Sequence, residues 1–95
     1  VLPPPAIQAL GIIETYSIAS TVLAADAAVK AASVSLVEVR LALGLGGKAF
    51  ATVTGEVSDV AAAVEAASTL AGDRGMLTEA VVIPAPAEGL AEFTI

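Results

Sequence analysis

The glycine-rich segment that begins at residue 44 is the local feature most similar to a ligand-binding motif. Gly44-Leu45-Gly46-Gly47-Lys48-Ala49 has the G-x-G-x-x-A spacing of dinucleotide-binding loops. That spacing binds a pyrophosphate only where the loop opens a helix, and residues 48–54 have the character of a strand. A Walker A loop does not fit either, because Ala42 and Ala49 stand at its first glycine and its Ser/Thr positions. We interpret the segment as a hairpin turn, or as a loop whose backbone approaches its own symmetry mates around an axis.

Carboxylates are the other residues from which chemistry could be built. The chain contains no histidine and no cysteine, so the commonest general base, the thiolate nucleophile and the imidazole and thiolate metal ligands are missing. Charged side chains are most often simply solvated. We therefore interpret the glutamates as surface charge and predict no catalytic residue, no metal site and no cofactor; those considered as acid–base pairs are Glu14, Glu38, Glu65 and Glu79.

Length and charge exclude several classes of protein. The chain has 95 residues, the size of one domain, and its four basic residues against ten acidic ones argue against nucleic acid or an anionic membrane as a partner. No uncharged apolar run reaches the roughly 18 residues of a membrane span. The N-terminus has neither an initiator Met nor the basic region of a signal peptide, so we expect a processed chain or a piece of something longer.

Composition points to association. Hydrophobic residues make up 57% of the chain, and alanine alone occupies 22 positions. Small side chains allow close packing between helices and a sheet, but each buries little area. We expect such a domain to gain stability by burying further surface against copies of itself.

Hydrophobic periodicity predicts the order β-α-β-β-α-β. A strand is expected over 6–14, and Ser17 is expected to cap a helix over 17–32. Strands over 35–43 and 48–54 should form a hairpin, Gly55 should separate the second of these from another helix that ends at Gly72 and Gly75, and a last strand is expected over 77–83. This order predicts an α+β fold, the ferredoxin-like sandwich with a four-stranded antiparallel sheet and two helices on one face.

The same patterns predict which faces are buried. Each helix has one apolar stripe, and residues 35–43 alternate as in a half-buried strand, with Glu38 and Arg40 on the polar face. The apolar positions are Ile18, Val22, Ala25, Val29 and Ala32 in the first helix, Val37, Val39, Leu41 and Leu43 in the strand, and Val57, Val60, Val64, Ala67 and Ala71 in the second helix.

Lys30 lies near the end of the first predicted helix, four residues after Asp26. The plain interpretation is a surface lysine that favours the helix dipole and pairs with that aspartate.

Three stretches together resemble the shell-protein domain of bacterial microcompartments, the BMC domain. ALGIIETYSIASTVLAADAAVKAASVSLVEV is similar to the family's first strand, helix and strand, including G-I-I-E-T and D-x-x-V-K-A-A. FATVTGEVSDVAAAVEAAS is similar to its strand–Gly–acidic–Val–helix segment, and LTEAVVIPAP to its last strand and proline signature. No single motif is diagnostic, but the ordered set covers roughly residues 6–87.

The resemblance implies a non-enzymatic structural protein. Members form six-sided tiles that assemble edge to edge into a shell around cytoplasmic enzymes, and small metabolites cross through a central pore. The implied organisation is a proline-rich linker over 1–5, a shell domain over 6–87 and a tail over 88–95. The implied partners are copies of the chain in a homohexamer, or a partner BMC domain in a pseudohexamer, together with other shell proteins.

Individual residues take roles from the same resemblance. Gly44, Leu45, Gly46, Gly47 and Lys48 fall on the pore loop. Lys30 falls on the edge lysine of the tiles, and Ala85 stands where many hexameric members carry an edge arginine.

Two features distinguish the chain from typical hexameric members, namely Ala85 at the edge-arginine position and the pore loop. The pore loop is longer, and together with ALGLGGKAF, the proline-rich entry and the missing Met it resembles the second half of a tandem, trimer-forming shell protein. Some members hold an iron–sulfur cluster through cysteine, which this chain lacks.

Two other classes of function remain open at the level of residues. Ferredoxin-like domains also serve as oligomeric small-molecule sensors, and fold alone does not exclude that role. A sensor should stop at a dimer, trimer or tetramer, whereas a tile should form rings of six domains. An enzyme is the third class, and the missing histidine and cysteine argue against it.

Overall fold

Two helices cover one face of a four-stranded antiparallel sheet in the computed structural model, which describes residues 9–41 and 47–84. The elements are β1 (Ala9–Thr15), α1 (Ile18–Ala31), β2 (Ser35–Leu41), β3 (Ala49–Gly55), α2 (Val57–Asp73) and β4 (Leu77–Pro84). The strand order is β2-β3-β1-β4, and each neighbouring pair is antiparallel. The predicted βαββαβ sandwich and the β2–β3 hairpin are therefore confirmed.

The core lies between the sheet and the helices and is made of small side chains. The largest fully buried apolar residues are Ile13, Val53 and Val60. Most of the remaining core is alanine, contributed by both helices and by the central strands. Because each alanine buries little apolar area, this core excludes water mainly through close approach of its layers.

Gly11 is the point of closest approach between β1 and α2. A Cβ at this position would lie 2.5 Å from Val64 Cγ2 and 2.9 Å from Val60 Cγ1, both on α2. Valine side chains are branched at Cβ and have little freedom to rotate away. A glycine is therefore needed for the helix to rest on the strand.

The helix ends follow local rules. Ser17 caps α1 as predicted, since its hydroxyl accepts the N–H of Ser20 at 3.1 Å. Gly75 has φ = 69° and ends α2, with the N–H of Met76 donating to the carbonyl of Ala71. Gly72, which was also expected to end this helix, lies inside it.

The predicted buried stripe of α1 is wrong except for Ala25 and for Ala32, which lies just beyond the helix and is partly buried. Ile18, Val22 and Val29 are exposed, and the buried face lies about a quarter turn away. The residues that occupy that buried face are Ser20, Thr21, Ala24, Ala25 and Ala28. The reason is steric, because α1 packs against both α2 and the sheet and the close contact admits the small side chains. The stripe of α2 is confirmed, apart from Val57, which is exposed.

The strand predicted over 35–43 is present as β2, and Val39 is half-buried, but the expected burial of Val37 and Leu41 is wrong. β2 is an edge strand, and its apolar residues Leu36, Val37 and Leu41 are exposed. The pairing with β3 shifts between Leu36 and Glu38, so Val37 is an extra residue and the simple alternation is broken.

Several expectations fall outside the described residues. These are the proline-rich linker, the start of the first strand before Ala9, Leu43, Gly44, Leu45, Gly46, Ala85 and the tail. Within the ranges 9–41 and 47–84, no helix is long and apolar enough to cross a membrane.

We predict that Gly11→Ala lowers the free energy of unfolding by about 1–3 kcal/mol, the usual cost of overpacking a tight core. Denaturant unfolding followed by circular dichroism measures the change. Gly72→Ala is the matched control, because a Cβ there meets nothing within 4 Å and alanine favours a helix. Equal stability of Gly11→Ala and the parent chain would contradict the steric argument.

Candidate functional site

The end of the sheet where β1 and β3 meet brings together an aromatic ring and a lysine. The β1–β3 register ends with Thr15 opposite Ala49, and the next residues outward are Tyr16 and Lys48. The Lys48 ammonium lies 5.7 Å from the centre of the Tyr16 ring, within the range of a cation–π contact. Gly47, just before Lys48, is exposed with φ = 84°, a conformation that favours glycine.

Hydrogen bonds made by the backbone and by buried threonine hydroxyl groups fix the chain around Tyr16. The N–H of Tyr16 donates to the carbonyl of Met76 at 3.0 Å. The Thr15 hydroxyl donates to the carbonyl of Ser17 at 2.7 Å, so Thr21 must be the donor in the 2.8 Å contact between the Thr15 and Thr21 hydroxyls. The backbone that carries the aromatic ring is therefore fixed on both sides of the β1–α1 junction.

The outer surface of α1 is apolar and ends in an ion pair. Ile18, Val22 and Val29 are exposed along the helix. Lys30 and Asp26 form the predicted i,i+4 pair with Nζ and Oδ2 2.9 Å apart, and their side chains are 73% and 54% exposed. Such an exposed pair contributes little to stability, so Lys30 remains accessible to a partner.

The sheet face opposite the helices brings two carboxylates together. Glu14 on β1 lies directly opposite Glu79 on β4. A shallow cleft of about 320 Å³ is lined by both of them with Ile12 and Phe50. The hydroxyl of Thr78 lies 2.6 Å from Glu14 Oε2 and donates to it. Both were among the four glutamates considered as acid–base pairs from the sequence, but the sequence did not indicate which of the four would meet, because β1 and β4 are far apart along the chain.

The other two glutamates considered from the sequence lie on other elements. Glu38 forms an ion pair with Arg40 on β2, with Oε2 and Nε 3.1 Å apart; the alternation predicted a shared face but not this pair. Glu65 is exposed on α2. Across residues 9–41 and 47–84, no three Asp or Glu side chains are placed to hold a metal ion.

Fold and surfaces together define an α+β sandwich whose distinctive features are an exposed apolar surface and a lysine at one end of its sheet. Residues 9–86 match the family described as the BMC domain, so this chain belongs to that family. The resemblance recognised from the three sequence stretches is confirmed.

Named relatives and a solved structure are similar over most of the chain. The bacterial microcompartment shell protein PduT of Citrobacter freundii is 52% identical over 83 residues, which are 87% of this chain and 45% of that protein. The shell protein EutM of Salmonella typhimurium is 42% identical over 85 residues, 90% of this chain and 86% of EutM.

A crystal structure of a microcompartment protein from Desulfitobacterium hafniense DCB has a TM-score of 0.86 and 51% identity. The match covers 97% of this chain and 51% of that one. The chain thus spans about half the length of PduT and of this structural neighbour.

Proposed function

We propose that this chain is a structural, non-enzymatic tile of a bacterial microcompartment shell, assembled in six-domain rings with a central opening for small metabolites. Family membership and the shell-protein relatives support the role. The observation that carries it is the apolar surface left exposed on α1 and β2. The sensor alternative has no comparable support, since both named relatives are shell proteins.

The exposed apolar side chains favour association. Val22 on α1 and Leu41 on β2 are each 52% exposed. Fully burying a valine or leucine contributes about 1.5–3 kcal/mol, so covering the exposed half of each contributes on the order of 1 kcal/mol. In a ring, one patch of each domain meets a different patch of the next, and the contact closes after a fixed number of copies.

The lengths of the relatives support a pseudohexamer over a simple hexamer. The chain covers most of EutM but about half of PduT, to which it is more similar. We therefore propose that it acts beside a partner BMC domain, with three such pairs in a ring, and that residues 1–5 serve as a linker and 88–95 as a tail. Other shell proteins in the cytoplasm would be the neighbours of each tile.

The glycine-rich segment is proposed to surround the opening. Gly44, Leu45, Gly46 and Gly47 would face the axis, where several copies of one loop converge and side chains would crowd each other. Free backbone N–H groups and the Lys48 ammonium would favour anionic metabolites despite the acidic composition of the chain. Lys30 and Ala85 would lie at the outer edge of the tile.

We predict that Val22→Asp leaves the domain folded but shifts it from six-domain rings to smaller species. The charge would be placed in a desolvated interface, while Val and Asp have similar helix propensities. Native mass spectrometry measures the stoichiometry, and Thr69→Asp, at an exposed polar position of α2, is the control. A parent chain that stays monomeric at micromolar concentration, both alone and mixed with a partner BMC domain, would contradict the proposal.

For Lys30, the expected effect of Lys30→Asp is loss of sheets with rings intact. Edges related by twofold symmetry would bring two acidic side chains together, and like charges across an interface cost several kcal/mol. Asp26→Asn separates the two roles of the lysine, because it breaks the 2.9 Å ion pair but keeps Lys30. Electron microscopy should show sheets for Asp26→Asn only; sheets formed by Lys30→Asp would count against the edge role.

A bulky residue at the proposed opening provides the third test. Gly46→Trp should slow the passage of small anions through assembled shells while rings still form. A permeability assay with a shell-enclosed reporter enzyme measures the passage, and native mass spectrometry checks the rings. Unchanged permeability in intact shells would place Gly46 away from the opening.

A further inference from the structure

We propose that the two edges of the sheet are complementary, so that β2 of one copy of this chain contacts β4 of a second copy. Arg40 on the first edge then forms an ion pair with Glu79 on the second. The occupant of each edge is thus another copy of the chain, presented through its opposite edge. The closure of such contacts into a ring rests on the proposed function, whereas the contact between two copies does not.

A single row of residues crosses the sheet from one edge to the other. Arg40 on β2 is paired with Phe50 on β3. Phe50 is paired in turn with Glu14 on β1, which lies opposite Glu79 on β4. Residues paired across adjacent strands share one face of a sheet, and here Phe50 and both glutamates line the same cleft. The row therefore has a cation at the β2 edge and an acid at the β4 edge, at the same height.

The basic end of the row is open to a partner. β2 is an outer strand of the sheet formed by residues 9–41 and 47–84, and an outer strand leaves backbone groups unpaired on one side. The Arg40 side chain is 69% exposed, and its contact with Glu38 uses Nε, which carries one of the five N–H donors of the guanidinium group. The terminal nitrogens can therefore bind a carboxylate of another molecule.

The acidic end of the row attracts a cation. Glu14 and Glu79 lie directly opposite each other, and like charges in that position repel. The Thr78 hydroxyl donates to Glu14, which leaves the exposed Glu79 as the acid at the outer edge. The ion pairs among the described residues use Asp26 and Glu38, so neither of these two glutamates has a basic partner in that part of the chain. An arginine of a second copy would supply one.

Strand direction permits the two edges to meet. Each neighbouring pair in the order β2-β3-β1-β4 is antiparallel, so β2 and β4 run in opposite directions within one domain. Two copies placed side by side with the same face upward therefore bring an antiparallel pair of edges together. Such a contact joins two different patches, so each added copy leaves one edge free for the next until the ring closes.

Apolar side chains flank the charged residues on both edges. On β2, Leu36 and Leu41 are 46% and 52% exposed, and on β4, Ala80 and Val81 are exposed. Burial of apolar surface drives most association between proteins, while complementary charges fix the register and exclude wrong partners. The ion pair would therefore set which edges meet, and the apolar residues around it would hold them together.

Charge reversal at either end of the row tests the contact. Arg40→Glu and Glu79→Arg each place like charges across the two edges and should weaken self-association by about tenfold or more. Arg74→Glu and Glu65→Arg make the same changes in charge at exposed positions at the end of α2 and on its outer side, and should leave self-association unchanged. Analytical ultracentrifugation measures the dissociation constant of each variant, and circular dichroism checks that it is folded.

A mixture of the two reversed variants separates a lost contact from a damaged domain. The Arg40→Glu variant has acids at both edges, and the Glu79→Arg variant has cations at both. Each should stay largely dissociated alone, but every contact between unlike variants brings opposite charges together. Native mass spectrometry of the equimolar mixture should show assemblies that contain the two variants in equal numbers.

The outcomes separate this inference from the proposed function. Self-association of either reversed variant at the parent affinity, or a mixture that does not recover assembly, overturns the edge contact. If the parent chain and both reversed variants form rings, the tile role stands and the domains meet through other surfaces. A parent chain that does not associate with itself also overturns the contact between copies, and the proposed function then depends on rings formed with a partner BMC domain.

Discussion

The close approach of α2 to β1 over Gly11 is the constraint on which the rest of the structure depends. With Val60 and Val64 resting on a residue that has no side chain, the helices and the sheet form a thin core filled largely by alanine. Such a core lets the layers pack closely but buries little apolar area, since each alanine contributes a single methyl group. Larger apolar residues, Ile18, Val22 and Leu36 among them, remain on the surface. In the proposed assembly, the apolar area missing from the core would be buried in contacts between domains.

In the described part of the chain, two groups of polar side chains lie on the sheet: Tyr16 with Lys48, and Glu14 with Glu79 and Thr78. At one, Lys48 faces the ring of Tyr16 beside the turn at Gly47, an arrangement that places positive charge without a buried ion.

The second polar cluster shows how the sheet tolerates like charges. Glu14 and Glu79 are opposed on adjacent strands, a pairing that destabilises a sheet when nothing compensates it. Here the Thr78 hydroxyl donates to the Glu14 carboxylate at 2.6 Å, and the open cleft leaves both acids in contact with solvent. The pairing of β1 with β4 is irregular after Glu14. This bulge places the Thr78 hydroxyl beside the Glu14 carboxylate, so it contributes to the compensation.

Local signals in the sequence determined the elements, their ends and the contacts made within one element. Helical and strand periodicity predicted βαββαβ, Ser17 and Gly75 marked helix ends, and the Asp26–Lys30 pair followed from its spacing, because each involves residues a few positions apart. Tertiary structure decided which side of α1 is buried and that β2 is an edge strand. It also decided which residues meet across strands, as Tyr16 meets Lys48. Those outcomes depend on steric fit and on strand order between distant segments, and hydrophobicity along one segment carries no information about either.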